Sequence, residues 1–122
     1  MSEINRSLLV VKPKQPFLDW AHSWDRARYT LDDIHEDSTA YLIPEYELND
    51  EQMVILEYCH GFIFEEELFS WCIDEATWPE QRDLKTFLEW FDLEFHSLVF
   101  DLAVGTPLEY VDYGQDEVMT TN

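Results

Sequence analysis

Basic residues are scarce in this sequence, and two long stretches contain none. The 122 residues include seven lysines and arginines against 27 aspartates and glutamates, which gives a formal net charge of −20. Residues 29–81 contain fifteen acids and no lysine or arginine, and eight more acids follow Lys85 without any basic residue. A field of this sign repels nucleic acid and anionic membranes, and it attracts basic partners and cations. The composition therefore argues against direct nucleic-acid binding and against binding to a membrane surface.

Glycines, cysteines and long apolar runs are also few, and each shortage argues against a class of protein. With only three glycines a phosphate-binding loop is hard to build, and the common enzyme signatures are absent. The two cysteines, Cys59 and Cys72, lack a metal-binding spacing. No apolar run has the length of a membrane span, and no signal peptide is recognised. We therefore expect a cytoplasmic protein with two free thiols and no cofactor.

Apolar residues are abundant enough for one folded domain. They make up 46% of the chain, and aromatic residues alone make up 16%. A chain of this length can bury a core without disulfides. We predict a single acidic domain over residues 1–108 and a flexible C-terminal tail over residues 109–122, which has few apolar anchors. The surplus of aromatic residues favours an interface, so a homo-oligomer or a subunit of an obligate complex is one alternative.

The apolar patterning predicts an α+β fold, in which a small, mostly antiparallel sheet of about three strands packs against three to four helices. The predicted order is strand, helix, strand, three helices and strand. Strands are expected over residues 7–12, 40–46 and 97–104, and Pro44 confines the second strand to a sheet edge or a strand end. The first helix begins at Pro16.

Three helices are expected between the second strand and the last strand. A capping box at residues 49–52 begins the first of them. Gly61 either ends that helix or lies at a bend before the next, which covers residues 62–78. A second capping box at residues 77–80 begins the last helix, which is expected to end near residue 93.

Five carboxylates on the last two predicted helices are the candidate partner-binding residues. They are expected to line exposed helix faces: Glu66, Glu67, Asp74, Glu89 and Asp92. Carboxylates displayed in this way, with aromatic residues between them, can imitate the phosphates of a nucleic-acid duplex. The expected function is therefore non-enzymatic binding of a basic protein surface, in one form as a nucleic-acid mimic or inhibitor. The alternative is that the acidity serves solubility alone.

Glu57 and His60 are the candidate metal ligands. Their Glu-x-x-His spacing places a carboxylate and an imidazole one helical turn apart, as in di-iron carboxylate bundles. A metal-binding protein or metalloenzyme that uses this pair, with a carboxylate such as Glu65 or Glu94, is therefore the alternative function. The second copy of the motif that such bundles use is absent. A surface glutamate and a histidine near a helix end would explain the same pair.

Two other groups of acids are interpreted as solvated. One group lacks the ligand spacing of a calcium loop and is interpreted as an acidic loop; its members, with one histidine, are Asp32, Asp33, His35, Glu36 and Asp37. Glu65 and Glu75 fall within the apolar arc of a predicted helix. Because each lies near a helix end, its side chain is expected to turn out to solvent at the rim of the core.

Overall fold

The structure, a computed structural model, describes residues 2–25, 30–35, 38–103 and 105–111. Its elements in chain order are β1 (Ser2–Glu3), β2 (Arg6–Pro13), α1 (Gln15–Trp24), α2 (Leu31–His35), β3 (Thr39–Pro44), α3 (Glu51–Trp71), a 3₁₀ turn (Glu75–Thr77), α4 (Leu84–Trp90), β4 (Phe91–His96) and β5 (Phe100–Asp101). The predicted C-terminal tail lies outside the described residues from residue 112 onward. Residues 36 and 37 of the predicted acidic loop lie outside them as well.

An antiparallel sheet of three strands forms one layer of the fold, in the order β3-β2-β4. The central strand β2 alternates along its length: Leu9 and Val11 are buried, whereas Leu8 and Val10 are half-buried on the other face. Strands β1 and β5 pair separately as a two-stranded sheet. The predicted α+β fold with a small antiparallel sheet is confirmed, and so is the edge position of the strand that contains Pro44.

The core lies between the helices and one face of this sheet, and aromatic rings fill its centre. Phe17, Phe64, Phe87 and Phe91 are all buried. The ring centroids of Phe87 and Phe91 are 5.0 Å apart, and those of Phe64 and Phe91 are 5.3 Å apart in an edge-to-face arrangement. Such pairs add to the hydrophobic stabilisation that comes from area burial. The first helix was correctly predicted from its proline and its apolar spacing.

Helix α3 is a single helix of 21 residues, whereas the sequence left open whether the chain stops or bends at Gly61. Gly61 neither ends nor divides it. At its start, the Glu51 carboxylate accepts hydrogen bonds from the backbone N–H groups of Glu47 (3.2 Å) and Leu48 (2.9 Å). The side chain that caps the backbone N–H groups before the helix is therefore Glu51, and not Gln52 of the predicted capping box. The helix ends at Trp71, before the predicted residue 78. A 3₁₀ turn follows, which Asp74 caps by accepting a hydrogen bond from the Ala76 N–H at 3.0 Å.

The last helix and strand also differ from the prediction. Helix α4 begins after Asp83, which accepts a hydrogen bond from the Thr86 N–H at 2.9 Å, and not at the predicted capping box of residues 77–80. The helix ends at Trp90, and β4 begins at the next residue. Within β4, Phe91, Leu93 and Phe95 alternate with exposed polar residues, so the period of two begins at Phe91. Within residues 97–103, the described part of the strand predicted over residues 97–104, only Phe100 and Asp101 form a strand, β5.

A short helix, α2, occupies part of the segment that was predicted to be a loop. Thr30 and Asp33 cap it reciprocally: the Thr30 N–H donates to Asp33 Oδ2 at 2.9 Å, and the Asp33 N–H donates to Thr30 Oγ1 at 3.2 Å.

None of the helices that the structure describes has both the length and the apolar character that crossing a membrane requires.

Candidate functional site

A groove lies between the edge strand β3 and helix α3. Its volume is about 460 Å³, and four residues of each element line it: Tyr41, Leu42, Ile43 and Pro44 from β3, and Tyr58, Cys59, Phe62 and Ile63 from α3. The lining is apolar except for two tyrosine hydroxyls and one thiol. Both the volume and the character of the lining are within the range found for binding sites in proteins.

Helix α3 forms its wall of the groove because it is apolar on two faces. One face packs into the core with residues such as Ile55, Phe64 and Leu68. On another face, Val54, Tyr58 and Phe62 follow each other at intervals of four residues, so they lie one above the other. Their side chains are 66%, 85% and 49% exposed. A surface helix normally has one apolar face, which packs on the core, so the second apolar face of α3 is uncovered by the described part of the chain.

Strand β3 contributes its free edge to the groove. Successive side chains of a strand point to opposite faces of a sheet, so a groove that touches four consecutive residues must run along the strand's edge. One edge of β3 pairs with β2. Apart from that ladder, no backbone hydrogen bond within the described part of the chain involves residues 39–44. Unpaired N–H and C=O groups on such an edge can accept a further strand.

Glu67 lies beneath Tyr41, a residue of the groove, and its placement corrects a prediction. It was expected on an exposed face of the helix, but it is only 5% exposed. The Tyr41 hydroxyl donates a hydrogen bond of 2.6 Å to Glu67 Oε2. Burial raises the pKa of Glu67, although the Tyr41 hydrogen bond acts in the opposite direction. Burial and the nearby carboxylate also raise the pKa of Tyr41, which therefore keeps its proton.

The position of Glu67 has a local cause in the helix. It lies three and four residues after Phe64 and Ile63, both of which are buried, so it shares their face of α3. This spacing was a usable signal in the sequence. The prediction assigned faces to a helix over residues 62–78. Helix α3 begins eleven residues earlier and its buried face turns along its length, so the predicted faces differ from the observed ones.

The other four predicted partner-binding carboxylates do not form the expected pair of helix faces. Glu66 is half-buried on α3, and its charge helps to raise the pKa of Tyr41. Asp74 is exposed, but it follows the end of α3 and caps the 3₁₀ turn. Glu89 is exposed on α4, as predicted. Asp92 lies on strand β4 and not on a helix, with its Oδ1 4.0 Å from Lys14 Nζ.

The candidate metal ligands Glu57 and His60 both lie on α3, one turn apart as predicted. Glu57 is exposed, and His60 Nδ1 lies 2.8 Å from the Leu56 carbonyl oxygen, to which it donates when that nitrogen is protonated. Glu94 lies on β4, where hydrogen bonds with His96 and then Lys12 hold the pKa of its carboxyl below the ordinary value. Within the described residues, no three His, Cys, Asp or Glu side chains come together as metal ligands would.

The remaining predicted residues occupy exposed or partly buried positions. Glu65 and Glu75 are exposed, so their placement at the rim is confirmed. Both cysteines are free and partly buried, and burial raises the pKa of the Cys59 thiol.

Comparison with known proteins finds no match for this chain among family models, curated proteins or solved structures.

Proposed function

We propose that this protein is a non-enzymatic binding protein that holds a basic protein partner at the groove between β3 and α3. The observation that carries this proposal is the combination of exposed apolar groove walls with a complete lack of lysine and arginine on both wall elements. Strand β3 and helix α3 lie within residues 29–81, which contain fifteen acids. A groove of this kind favours a partner that is both apolar and positively charged.

The apolar and the charged residues have different roles in this proposal. Exposed aromatic side chains such as Tyr58 and Phe62 supply affinity, because large aromatic residues dominate the energetics of protein interfaces. The surrounding carboxylates raise the association rate and select against acidic partners. Glu57 and Glu66 on α3, with Glu89 on α4, contribute to that field.

A nucleic-acid mimic or inhibitor is the more specific form of this proposal. Its partner is a nucleic-acid-binding protein, and duplex DNA should then compete with this chain for the partner. The carboxylates that would stand in for phosphates are Glu66, Asp74, Glu89 and Asp92. Glu67 is not among them because it is buried under Tyr41.

The proposal is tested by affinity capture from lysate of the source organism with the full chain as bait. We expect a basic protein that is retained at low salt and eluted by salt, since screening weakens attraction between opposite charges. The captured protein is then purified, and its association rate with the full chain is measured with and without duplex DNA.

Charge reversal near the groove tests the electrostatic part of the proposal, and charge reversal elsewhere is the matched control. Glu57→Lys combined with Glu89→Lys should slow association with the purified partner by about tenfold at low salt. The double variant Glu3→Lys with Glu80→Lys makes the same change in net charge at exposed positions outside β3, α3 and α4, and it should slow association less. If no basic protein is retained at low salt, or if charge reversal leaves association unchanged, the proposal is wrong.

A further inference from the structure

We propose that the partner contributes an extended segment, which adds to the sheet along the free edge of β3 and alternates apolar with basic residues. This inference rests on the proposed function and specifies how the partner binds. It combines three observations: an edge of β3 that no described residue pairs with, the apolar groove along that edge, and the absence of lysine and arginine from residues 29–81, which contain fifteen acids.

The length of the groove sets the length of the segment. Four residues of β3, from Tyr41 to Pro44, line the groove. At about 3.4 Å per residue they extend over about 14 Å, which an extended partner segment covers with about four residues. Backbone hydrogen bonds to β3 would hold that segment in place, as in other cases of strand addition. Pro44 has no N–H to donate, so the ladder ends there.

The two walls determine which side chains the segment carries. In an added strand, every second side chain points toward the α3 side, where Phe62 and Ile63 line the groove, and apolar side chains suit these positions. Two exposed carboxylates are adjacent in sequence to residues that line the groove: Glu45 follows Pro44, and Glu57 precedes Tyr58. Lysine or arginine at the remaining positions of the segment would neutralise them.

Charge also decides between this segment and a second copy of the chain. The β3 edges of two copies could pair in a symmetric dimer, but each copy would bring exposed carboxylates such as Glu45 and Glu57 to the contact, and neither β3 nor α3 has a lysine or arginine to compensate them. Like charges at such a contact cost free energy. The two occupants respond oppositely to salt: added salt weakens binding of a basic segment and strengthens self-association.

The test uses a synthetic peptide that alternates lysine with valine, titrated against the full chain by calorimetry. Two further versions carry N-methyl groups on every second residue, one along each edge of the peptide, so that each version blocks the hydrogen bonds of one edge without changing charge. A peptide that alternates glutamate with valine measures the contribution of charge. Sedimentation of the protein alone at low and high salt reports self-association.

We expect the lysine–valine peptide to bind, and to bind about tenfold more weakly when salt is raised to about 1 M, where the screening length is about 3 Å. Methylation along one edge should abolish binding, whereas methylation along the other should leave it intact. Tyr58→Ser should weaken binding about tenfold. The matched control is Tyr110→Ser, because Tyr110 is 84% exposed, as Tyr58 is 85% exposed, and does not line the groove.

Each other outcome overturns the inference in a distinguishable way. Equal binding by both methylated peptides would show that the groove attracts basic segments without strand addition, and the proposed function would stand. Self-association that grows with salt, without peptide binding, would assign the groove to a second copy. If the peptide does not bind and the protein stays monomeric, strand addition is wrong, and capture of a basic partner from lysate then decides separately whether the proposed function survives.

Discussion

At the scale of single residues, Glu67 is the most unusual side chain that the structure describes. It keeps a carboxylate in the protein interior, next to the groove, with the Tyr41 hydroxyl as a donor at 2.6 Å. A buried carboxylate without such a donor is strongly destabilising, because its desolvation is not compensated. The Tyr41–Glu67 hydrogen bond therefore joins strand β3 to helix α3 and fixes the two walls of the groove relative to each other.

Replacement of Glu67 by glutamine should change how stability depends on pH. Because burial raises the pKa of Glu67, the folded protein binds more protons than the unfolded chain just above the ordinary value of 4.5. The stability contributed by Glu67 is present below that value and is lost as pH rises through the raised pKa of the folded state. We expect Glu67→Gln to remove this loss, because an amide oxygen still accepts the Tyr41 hydrogen bond. Urea unfolding from about pH 4 to about pH 8 measures the effect.

Tyr41→Phe is the complementary change in this experiment. It removes the hydroxyl donor and should lower the free energy of unfolding by about 1–3 kcal/mol at neutral pH. Tyr46→Phe is the control, because the buried Tyr46 hydroxyl only accepts a 3.3 Å hydrogen bond from Gln52 and its loss should cost less. Identical pH profiles for the wild type and Glu67→Gln would contradict the account of Glu67.

At the scale of elements, α3 is the longest helix that the structure describes, and it passes through a glycine at its middle. A glycine inside a helix is less favourable than alanine because it loses more backbone entropy on folding. Near Gly61, an added Cβ would meet no heavy atom within 4 Å. The glycine is therefore not required by packing, and α3 is held by the packing of its buried face.

Gly61→Ala should stabilise the protein by about 0.5–1 kcal/mol, since alanine favours the helical backbone and fits without a clash. The midpoint of urea unfolding measures this gain. Gly105→Ala is the matched control: Gly105 also has free space around it but lies outside the helices, so its gain should be smaller. A loss of stability in Gly61→Ala would mean that the chain bends at this position.

Elements in which the apolar residues follow one clear spacing, and in which residues such as proline mark the ends, could be predicted from the sequence. Strand β2, helix α1 and the edge strand β3 belong to this group. The boundary between α4 and β4 could not be predicted, because Phe87, Phe91 and Phe95 fit a helical spacing as well as a strand that begins at Phe91. The antiparallel pairing with β2 makes the segment from Phe91 onward a strand.

The groove was missed for a related reason. In the sequence its two walls are separated by residues 45–50 and by the first part of α3, so only the tertiary structure brings them together. The repeat of Val54, Tyr58 and Phe62 was visible in the sequence, but the division of α3 into two predicted helices concealed it. Likewise, Tyr41 lies 26 residues before Glu67, and no local pattern identifies it as the partner.

At the scale of the whole molecule, the net charge of −20 opposes the compact state through repulsion between carboxylates. Only a few of these charges have basic partners in the described residues, and those ion pairs are largely exposed: Lys12 with Glu94, Lys14 with Asp92, and Arg82 with Glu65. Exposed pairs of this kind contribute little to stability.

Added sodium chloride should therefore stabilise the protein against urea. Most of the increase in the unfolding midpoint is expected below about 0.2 M, because the screening length falls to about 8 Å near 0.15 M. Urea is the suitable denaturant because it is uncharged. An increase that continues in proportion to salt, without a plateau, would instead indicate exclusion of salt from the protein surface.

The pairing of β2 with β3 also bears on association between molecules of this protein. Five of the seven lysines and arginines lie in the first 28 residues, and two of them, Arg6 and Lys12, are in β2. The inner edge of β3 is thus already paired with a strand that is apolar and basic, the same chemistry that we propose for its outer edge. During synthesis or partial unfolding, a released β2 from one molecule would match the outer edge of β3 in another. Strand exchange between copies is the assembly that this sequence has to avoid. Pro13 and Pro44, which end the two strands and donate no backbone hydrogen bond, limit how far such an exchange can extend.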